Sequence, residues 1–189
     1  MAHYVDLTGA MQWAVAMCND PTVGYNQTYR NYQTVDGKTY FDCSSFTFFA
    51  LWLGGGLDVG AFGYSTNLAD YRNGSANAWV VTTMIQALRG DGWWDMPVST
   101  DNWEPMDILA KTRTHTEFVY SKSPLEIMGA RNSSLPFADQ VAIHPGYSGY
   151  YDVVLRYPEG EPPTPPIPGS KPMPIWLIKR AKELSGFAL

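Results

Sequence analysis

Cysteine is scarce in this sequence, and its scarcity excludes several classes of protein. Only two cysteines, Cys18 and Cys43, occur among 189 residues, so the chain is not a small domain held together by a network of disulfide bonds. Cys and His residues do not occur in pairs at the spacing of metal ligands, and the glycines at 54–56 fit the end of a helix better than a phosphate loop. The sequence therefore predicts no metal and no cofactor.

Long apolar runs and an excess of positive charge are also missing. A membrane-spanning helix needs a run of about 18 apolar residues, and none occurs. The N-terminal residues lack the basic region and the apolar segment of a secretory signal, so we expect a chain made in the cytoplasm. The net charge of −5 argues against nucleic acid as a partner, because nucleic-acid-binding domains usually carry a basic patch.

The apolar residues near the N-terminus recur with the period of a helix. In residues 7–18 they are spaced by three and four, which predicts a helix whose buried stripe includes Cys18. We therefore interpret Cys18 as a core thiol rather than a reactive one. A second helix is predicted to begin near Cys43, with Asp42 as its cap, and to end at the glycines 54–56.

The middle of the chain changes from polar loop to helix and then to strands. Residues 19–40, which are rich in Asn, Gly, Thr and Tyr, are predicted to be a loop, and a third helix is predicted at about 82–89. Apolar segments separated by short polar turns predict four strands, at 106–111, 114–121, 125–130 and 150–157. This order of elements predicts an α+β fold, in which N-terminal helices pack on an antiparallel sheet.

The composition changes sharply at Pro158, which we take as the end of a single domain at 1–157. Residues 158–174 are dominated by proline and predict a semi-rigid, extended linker. Residues 175–189 are apolar and basic, unlike the acidic remainder of the chain. Two interpretations stay open for this tail: an amphipathic anchor for an anionic surface, or a helix that docks on the domain or on a partner.

Residues 40–46, Tyr-Phe-Asp-Cys-Ser-Ser-Phe, place a cysteine where a turn leads into a helix. The N-terminus of a helix carries partial positive charge and free N–H groups, which favour a thiolate and can hold an oxyanion. A cysteine nucleophile also needs a histidine to take its proton. We favour His115, which opens a predicted strand, over His144 in a turn-like segment and His3 at the terminus.

These segments together resemble the NlpC-type papain-like cysteine peptidases, and most of all the phage peptidoglycan hydrolases in that superfamily. The resemblance covers residues 7–157. It depends on Phe-Asp-Cys-Ser-Ser-Phe at 41–46 and on the later segments that begin at Asp107 and His115. It implies a papain-like (NlpC-type) α+β fold and the cleavage of an amide in the peptide part of bacterial peptidoglycan, without a cofactor. A phage lysin, released with a holin or carried on the virion, would act in this way on the cell wall.

The resemblance also implies a role for individual residues. Cys43 would be the nucleophile, and His115 would be the general base and acid. Tyr25 would lean over the site and help to hold the oxyanion, together with the backbone N–H of Cys43 or Ser44. Asp42 and Ser44 would contact the stem peptide, commonly at its free amine.

The sequence departs from the family pattern at the third catalytic position. The family orients its histidine with a polar residue on the following strand, and here that position falls on Met128 or Gly129. Neither side chain is a good acceptor for an imidazole N–H, because methionine sulfur accepts hydrogen bonds only weakly and glycine has no side chain.

Several groups could take over the orienting role. We assign it to Asn132, with a backbone carbonyl, a water molecule, Glu126 or Gln140 as the alternatives. Glu117 shares the face of the His115 strand, but it lies about 6.6–7 Å further along, so we do not expect it to be the partner.

Three functions follow from these observations. We favour a D-glutamyl–diamino acid endopeptidase, and an N-acetylmuramoyl-L-alanine amidase is the alternative within the same chemistry. The alternative from another class is a non-catalytic virion or wall-binding module that keeps a degenerate papain-like fold. The tail at 175–189 would contact the wall or a membrane if it is an anchor.

Overall fold

A computed structural model describes residues 2–158, so the predicted tail and all but the first residue of the predicted linker lie outside the described residues. The helices predicted at 7–18, near Cys43 and at 82–89 are confirmed. A short helix that the sequence pattern did not predict lies between the last two. The four α-helices among residues 2–158 are α1, Leu7–Cys18; α2, Cys43–Phe49, which continues as a π-helical turn at Ala50–Gly54; α3, Leu68–Arg72; and α4, Val81–Gly90.

Six strands form the main sheet, in which every neighbouring pair is antiparallel. Their order across the sheet is β4 (Trp94–Asp95), β9 (Val153–Arg156), β5 (Ile108–Lys111), β6 (His115–Lys122), β7 (Leu125–Ala130) and β8 (Val141–Pro145). The four predicted strands are confirmed as β5, Ile108–Lys111; β6, His115–Lys122; β7, Leu125–Ala130; and β9, Val153–Arg156. The two strands at the edges were not predicted: they are β4, Trp94–Asp95, and β8, Val141–Pro145.

The segment at 19–40 contains a second sheet, so its prediction as a loop was wrong. In this sheet β3 (Lys38–Phe41) lies in the centre, parallel to β1 (Val23–Tyr25) and antiparallel to β2 (Asn31–Val35). The strands are short and mixed in composition, so they give no clear alternation of apolar and polar residues. Their pairing depends instead on backbone hydrogen bonds, which the amino-acid pattern does not show.

The helices pack on one face of the main sheet. Helix α2 packs against β6 and β7, and α1 packs against β7 and β8, as an α+β fold with helices on an antiparallel sheet requires. The two helices approach each other closely at Gly54, where an added Cβ would lie 2.8 Å from the carbonyl oxygen of Gly9. This close contact fixes the position of α2 over the sheet, and therefore the position of the residue at its N-terminus.

Aromatic side chains fill much of the space between the helices and the sheets. The largest fully buried aromatic residues are Trp13, Trp79, Trp103, Tyr71, Phe41, Phe46, Phe48, Phe49 and Phe118. Within residues 2–158, no helix combines the length and the apolar character that crossing a bilayer requires.

Candidate active site

Cys43 is the first residue of α2, and the residues around it fix the start of the helix. The backbone N–H of Ser45 donates to Oδ1 of Asp42 (2.8 Å), and the backbone N–H of Asp42 donates to Oγ of Ser45 (2.9 Å). This reciprocal capping box satisfies two polar groups at the helix end and holds Cys43 in one place. The Cys43 thiol lies 3.9 Å from the carbonyl oxygen of Thr114, so it faces the beginning of β6.

His115 is the first residue of β6 and contacts the thiol. Burial would lower the pKa of His115, but its hydrogen bonds with Cys43 and Glu117 and the negative charge of Glu117 outweigh this cost and raise the pKa to about 9. The ring is therefore an imidazolium at neutral pH. Nε2 of His115 lies 3.2 Å from Oε2 of Glu117, which leaves Nδ1 as the ring nitrogen for the thiol.

Glu117 contacts Nε2 of the imidazole, although the sequence analysis considered this residue and did not expect it to be the partner. Residues two apart on a strand point to the same face, and the side chain of Glu117 reaches back along β6 to the ring of His115. The separation of about 6.6–7 Å along the strand applies to the backbone and does not include this reach. The sequence signal for this contact was a carboxylate two residues from the histidine, on the same face of the strand.

Gly129 explains why the carboxylate fits at this position. Gly129 lies on β7, and a Cβ added to it would lie 2.8 Å from Cγ and 3.3 Å from Cβ of Glu117. The missing side chain therefore provides the space that the side chain of Glu117 occupies. The sequence analysis expected a polar side chain from β7 at this place. The side chain of Glu117 from β6 occupies it instead.

Glu117 is completely buried and accepts hydrogen bonds from two further side chains. Oε1 accepts from Nε2 of His144 (2.7 Å), and Oε2 accepts from the hydroxyl of Tyr151 as well as from His115. Burial would raise the pKa of Glu117, but the hydrogen bonds from His115 and His144 outweigh it and lower the pKa to about 2. Glu117 is therefore a buried carboxylate, charged at neutral pH, between two imidazoles.

Asp42 and Ser44, the predicted contacts of the stem peptide, are buried and bonded within the protein. Oδ2 of Asp42 lies 2.6 Å from Nη1 of Arg30, and Oδ1 accepts from the hydroxyl of Ser44 (3.1 Å) as well as from Ser45. The side chain of Asp42 is only 5% exposed. Contact between this carboxylate and a free amine would require Arg30 to move.

Tyr25 lies close enough to Cys43 for the charge of that residue to act on its phenol. Burial raises the pKa of its phenol, and negative charge at Cys43 and Asp42 raises it further, although a hydrogen bond from Gln27 acts in the opposite direction. Gln140 holds the strand of Tyr25 in place, because its Oε1 accepts from the backbone N–H of Tyr25 (2.9 Å). The predicted alternative partner of His115 is thus a support for Tyr25 instead.

Asn132 is not brought to the imidazole. It is exposed after the end of β7, and its Oδ1 accepts from the backbone N–H of Ser134 (2.9 Å) in a local turn. The orienting role assigned to Asn132 is occupied by Glu117, because Glu117 is already within hydrogen-bonding distance of Nε2 of His115.

Two features of the surroundings are open to a ligand. The ring of Tyr150 lies with its edge toward the ring of His115, at 6.1 Å between centroids, and Tyr147 stands next to Tyr150. Both tyrosines are exposed. On the side of Arg30 a shallow cavity of about 500 Å³ opens, lined by Arg30, Tyr64, Asn77, Ala78, Val80 and Thr83.

The second thiol differs from the first in its surroundings. Burial raises the pKa of Cys18 above its ordinary range, and the negative charge of Glu117 adds to this effect. Cys18 is therefore a neutral thiol at physiological pH, as expected for a core cysteine. Among residues 2–158, no three His, Cys, Asp or Glu side chains are grouped so that they could hold a metal ion.

Comparisons of this chain with models of protein families, with curated proteins and with solved structures found no match. Its function therefore has to be argued from its own residues.

Proposed function

We propose that this protein is a cysteine hydrolase with a papain-like arrangement that cleaves an amide bond in the peptide part of bacterial peptidoglycan. One observation carries the proposal: the imidazolium of His115 contacts both the thiol of Cys43, at a helix N-terminus, and the buried carboxylate of Glu117. A nucleophile, a general base and a group that orients the base are the parts that thiol catalysis of acyl transfer needs.

The reaction would proceed in two steps. The Cys43 thiolate attacks the amide carbonyl carbon, and the resulting oxyanion is held by the backbone N–H of Cys43 or Ser44 together with the hydroxyl of Tyr25. His115 gives its proton to the leaving nitrogen, the C–N bond breaks, and a thioester with Cys43 remains. His115 then takes a proton from a water molecule that attacks the thioester, the C–S bond breaks, and the acid product leaves with the Cys43 thiolate and the His115 imidazolium restored.

Glu117 supports catalysis over the alternative of a non-catalytic module. That alternative was motivated by the absence of a polar side chain at Met128 and Gly129, and Glu117 supplies an acceptor for His115 from the neighbouring strand. A non-catalytic module would need neither an imidazole beside a helix N-terminal thiol nor a buried carboxylate beside that imidazole.

The choice of peptidoglycan as the substrate rests on the resemblance over residues 7–157, and so does the proposal of a phage lysin that acts on the wall. We favour the bond between D-glutamate and the diamino acid. The amidase alternative cleaves between muramic acid and L-alanine. Because the Asp42 carboxylate is already bonded to Arg30, we propose stem peptides that are still attached to the glycan as substrates, rather than peptides with a free amine.

Purified cell walls provide the test. We expect the wild-type protein to reduce wall turbidity and to release soluble fragments, whereas Cys43→Ala releases none. Cys18→Ala is the matched control, because it removes the other thiol and should leave the rate unchanged. Cut stem peptides in the mass spectrum identify the endopeptidase, and intact peptides freed from intact glycan identify the amidase. If walls of several peptidoglycan types stay intact with the wild-type protein, the hydrolase proposal is wrong.

A further inference from the structure

The carboxylate of Glu117 is surrounded by donors from several elements. It accepts hydrogen bonds from His115 on its own strand, from His144 on β8 and from Tyr151 in the residues before β9. The absence of a side chain at Gly129 on β7 leaves the space that the carboxylate occupies. His144 and Tyr151 are themselves buried, and their hydrogen bonds go to Glu117, to the carbonyl oxygen of Pro145 and to Tyr147. Both side chains therefore act on Glu117 and not on a substrate.

We infer that His144 and Tyr151 are positioning residues, which hold the Glu117 carboxylate in the orientation that receives Nε2 of His115. The inference rests on the proposed thiol chemistry and extends it to the residues behind the carboxylate. A carboxylate alone can rotate about its terminal bonds, and one donor on each oxygen fixes its plane. His144 fixes Oε1, and Tyr151 shares Oε2 with His115.

The hydrogen bonds from His144 and Tyr151 also reduce the negative charge of Glu117 that acts on His115. A hydrogen bond donated to a carboxylate oxygen draws negative charge toward the donor, so less is available to the other partner of the same carboxylate. Burial raises the pKa of Tyr151, so its hydroxyl stays protonated and acts as a donor to Glu117. Removal of either donor should therefore strengthen the interaction between Glu117 and His115 while it loosens the geometry.

The titratable side chains that face Glu117 come from four elements. They are His115 of β6, His144 of β8, Tyr147 and Tyr151 of the segment before β9, and Cys18 of α1. Cys18 and both tyrosines are neutral at physiological pH because burial raises their pKa values.

NMR titration of the His115 ring tests the inference without the need for a substrate. Tyr151→Phe removes only the hydroxyl, and we expect the titration midpoint of His115 to rise by about half a pH unit. His144→Phe should raise it as well, and His144→Gln, which keeps a donor near the position of Nε2, should restore the wild-type midpoint. The matched control is Tyr157→Phe, which removes a buried hydroxyl that binds the backbone N–H of Val5 and should change nothing at His115.

Kinetics on cell walls separate positioning from a purely structural role. We expect Tyr151→Phe to lower kcat about tenfold with little change in KM, because orientation of His115 matters for the chemical step more than for binding. An unchanged or lowered His115 midpoint in Tyr151→Phe would overturn the inference, even if His144→Phe fails to fold. If the midpoints shift as expected but no wall is hydrolysed by the wild-type protein, the arrangement of the carboxylate stands and the proposed function fails.

Discussion

At His115, burial and charge act in opposite directions on the same imidazole. Burial disfavours the charged ring, whereas Cys43 and Glu117 favour it strongly enough to raise its pKa to about 9. The protonated ring can give its proton to a leaving amine, which a neutral ring cannot do. The charge of this one residue is therefore set jointly by the thiol of Cys43 and by a carboxylate two residues further along the same strand.

Glu117→Gln should lower the pKa of His115. The amide keeps a similar shape but removes the charge, so the pKa should fall from about 9 toward its ordinary value, by about one unit or more. The sign follows from the folded state: with the carboxylate the imidazolium persists to about pH 9, and without it the ring loses its proton at lower pH. We expect the NMR titration midpoint of His115 to move down and wall hydrolysis at pH 8 to fall about tenfold or more.

The control for this prediction is Glu126→Gln, which changes a carboxylate on β7 that is not a partner of His115 in the structure. It should leave the His115 midpoint and the hydrolysis rate unchanged. A His115 midpoint that stays at the wild-type value in Glu117→Gln would show that Glu117 does not set the charge of the imidazole.

Helix α2 depends at its N-terminus on an ion pair with little access to water. Asp42 caps the helix and pairs with Arg30, which also donates to the carbonyl oxygen of Ala78 (3.1 Å). The guanidinium thus connects the residues before β2, the start of α2 and the residues before α4. Loss of one partner of such a pair leaves a buried charge without compensation.

Arg30→Met should destabilise the protein by roughly 3 kcal/mol, because the Asp42 carboxylate stays buried without its cation. Arg89→Met is the matched control: Arg89 pairs with Asp95 by the same chemistry, but both side chains are about half exposed. Its loss should cost less than about 1 kcal/mol. Urea denaturation of the two variants gives the comparison, and equal losses of unfolding free energy would contradict this account of the helix cap.

Strand β7 makes room for the Glu117 side chain because its residue Gly129 has no side chain. Gly129→Ala would place a methyl group 2.8 Å from Cγ of Glu117, so either the strand or the carboxylate must shift. We expect a loss of about 2 kcal/mol in unfolding free energy and slower alkylation of Cys43 by iodoacetamide. Gly90→Ala at the end of α4, where an added Cβ meets no atom within 4 Å, should change neither quantity by much. Full retention of both in Gly129→Ala would show that Glu117 does not need this space.

At the scale of elements, what could be predicted from the sequence depended on length and regularity. Helix α1 and strands β6 and β7 have clear apolar patterns, and their bounds agree closely with the prediction. The small sheet of β1, β2 and β3 could not be predicted, because three short strands of mixed composition carry no such pattern. Strand β8 was missed for a similar reason, although it carries His144.

The candidate nucleophile and the candidate base could be predicted from their local context, but the carboxylate that contacts the imidazole could not. Cys43 and His115 each stand at the start of an element that the sequence predicts, and the structure brings them together. The role of Glu117 depends on the direction of its side chain and on the space beside Gly129, which is a contact between two strands. Spacing within a single strand does not contain this information.

For the molecule as a whole, the candidate site depends on how the helices dock on the sheet. Helix α2 supplies the thiol, and the main sheet supplies the imidazole, the carboxylate and its two further donors. The hydrophobic core that joins them includes residues from Ala2 to Tyr157. The distance between thiol and imidazole therefore depends on how α2 packs against β6 and β7.

Deletion of residues 159–189 should separate chemistry from attachment. The removed tail at 175–189 is apolar and basic and was predicted either to anchor the protein or to dock on a surface. If it is an anchor, the shortened protein should cleave soluble peptidoglycan fragments at the wild-type rate but lyse whole cells more slowly, since an anionic surface no longer attracts it. Turbidity assays on cells and mass spectrometry of soluble fragments measure the two rates, and unchanged lysis of cells would remove the anchor hypothesis.

Positions 117 and 129 are expected to vary together in evolution. A long side chain at 117 requires an empty position opposite, and a side chain at 129 would exclude the carboxylate that now lies there. Relatives of this chain should therefore fall into two groups, with glutamate and glycine at the two positions, or with a small residue at 117 and a polar residue at 129. A chain with glutamate at 117 and a side chain at 129 would have no room for both. A change from one group to the other therefore requires replacement of both residues.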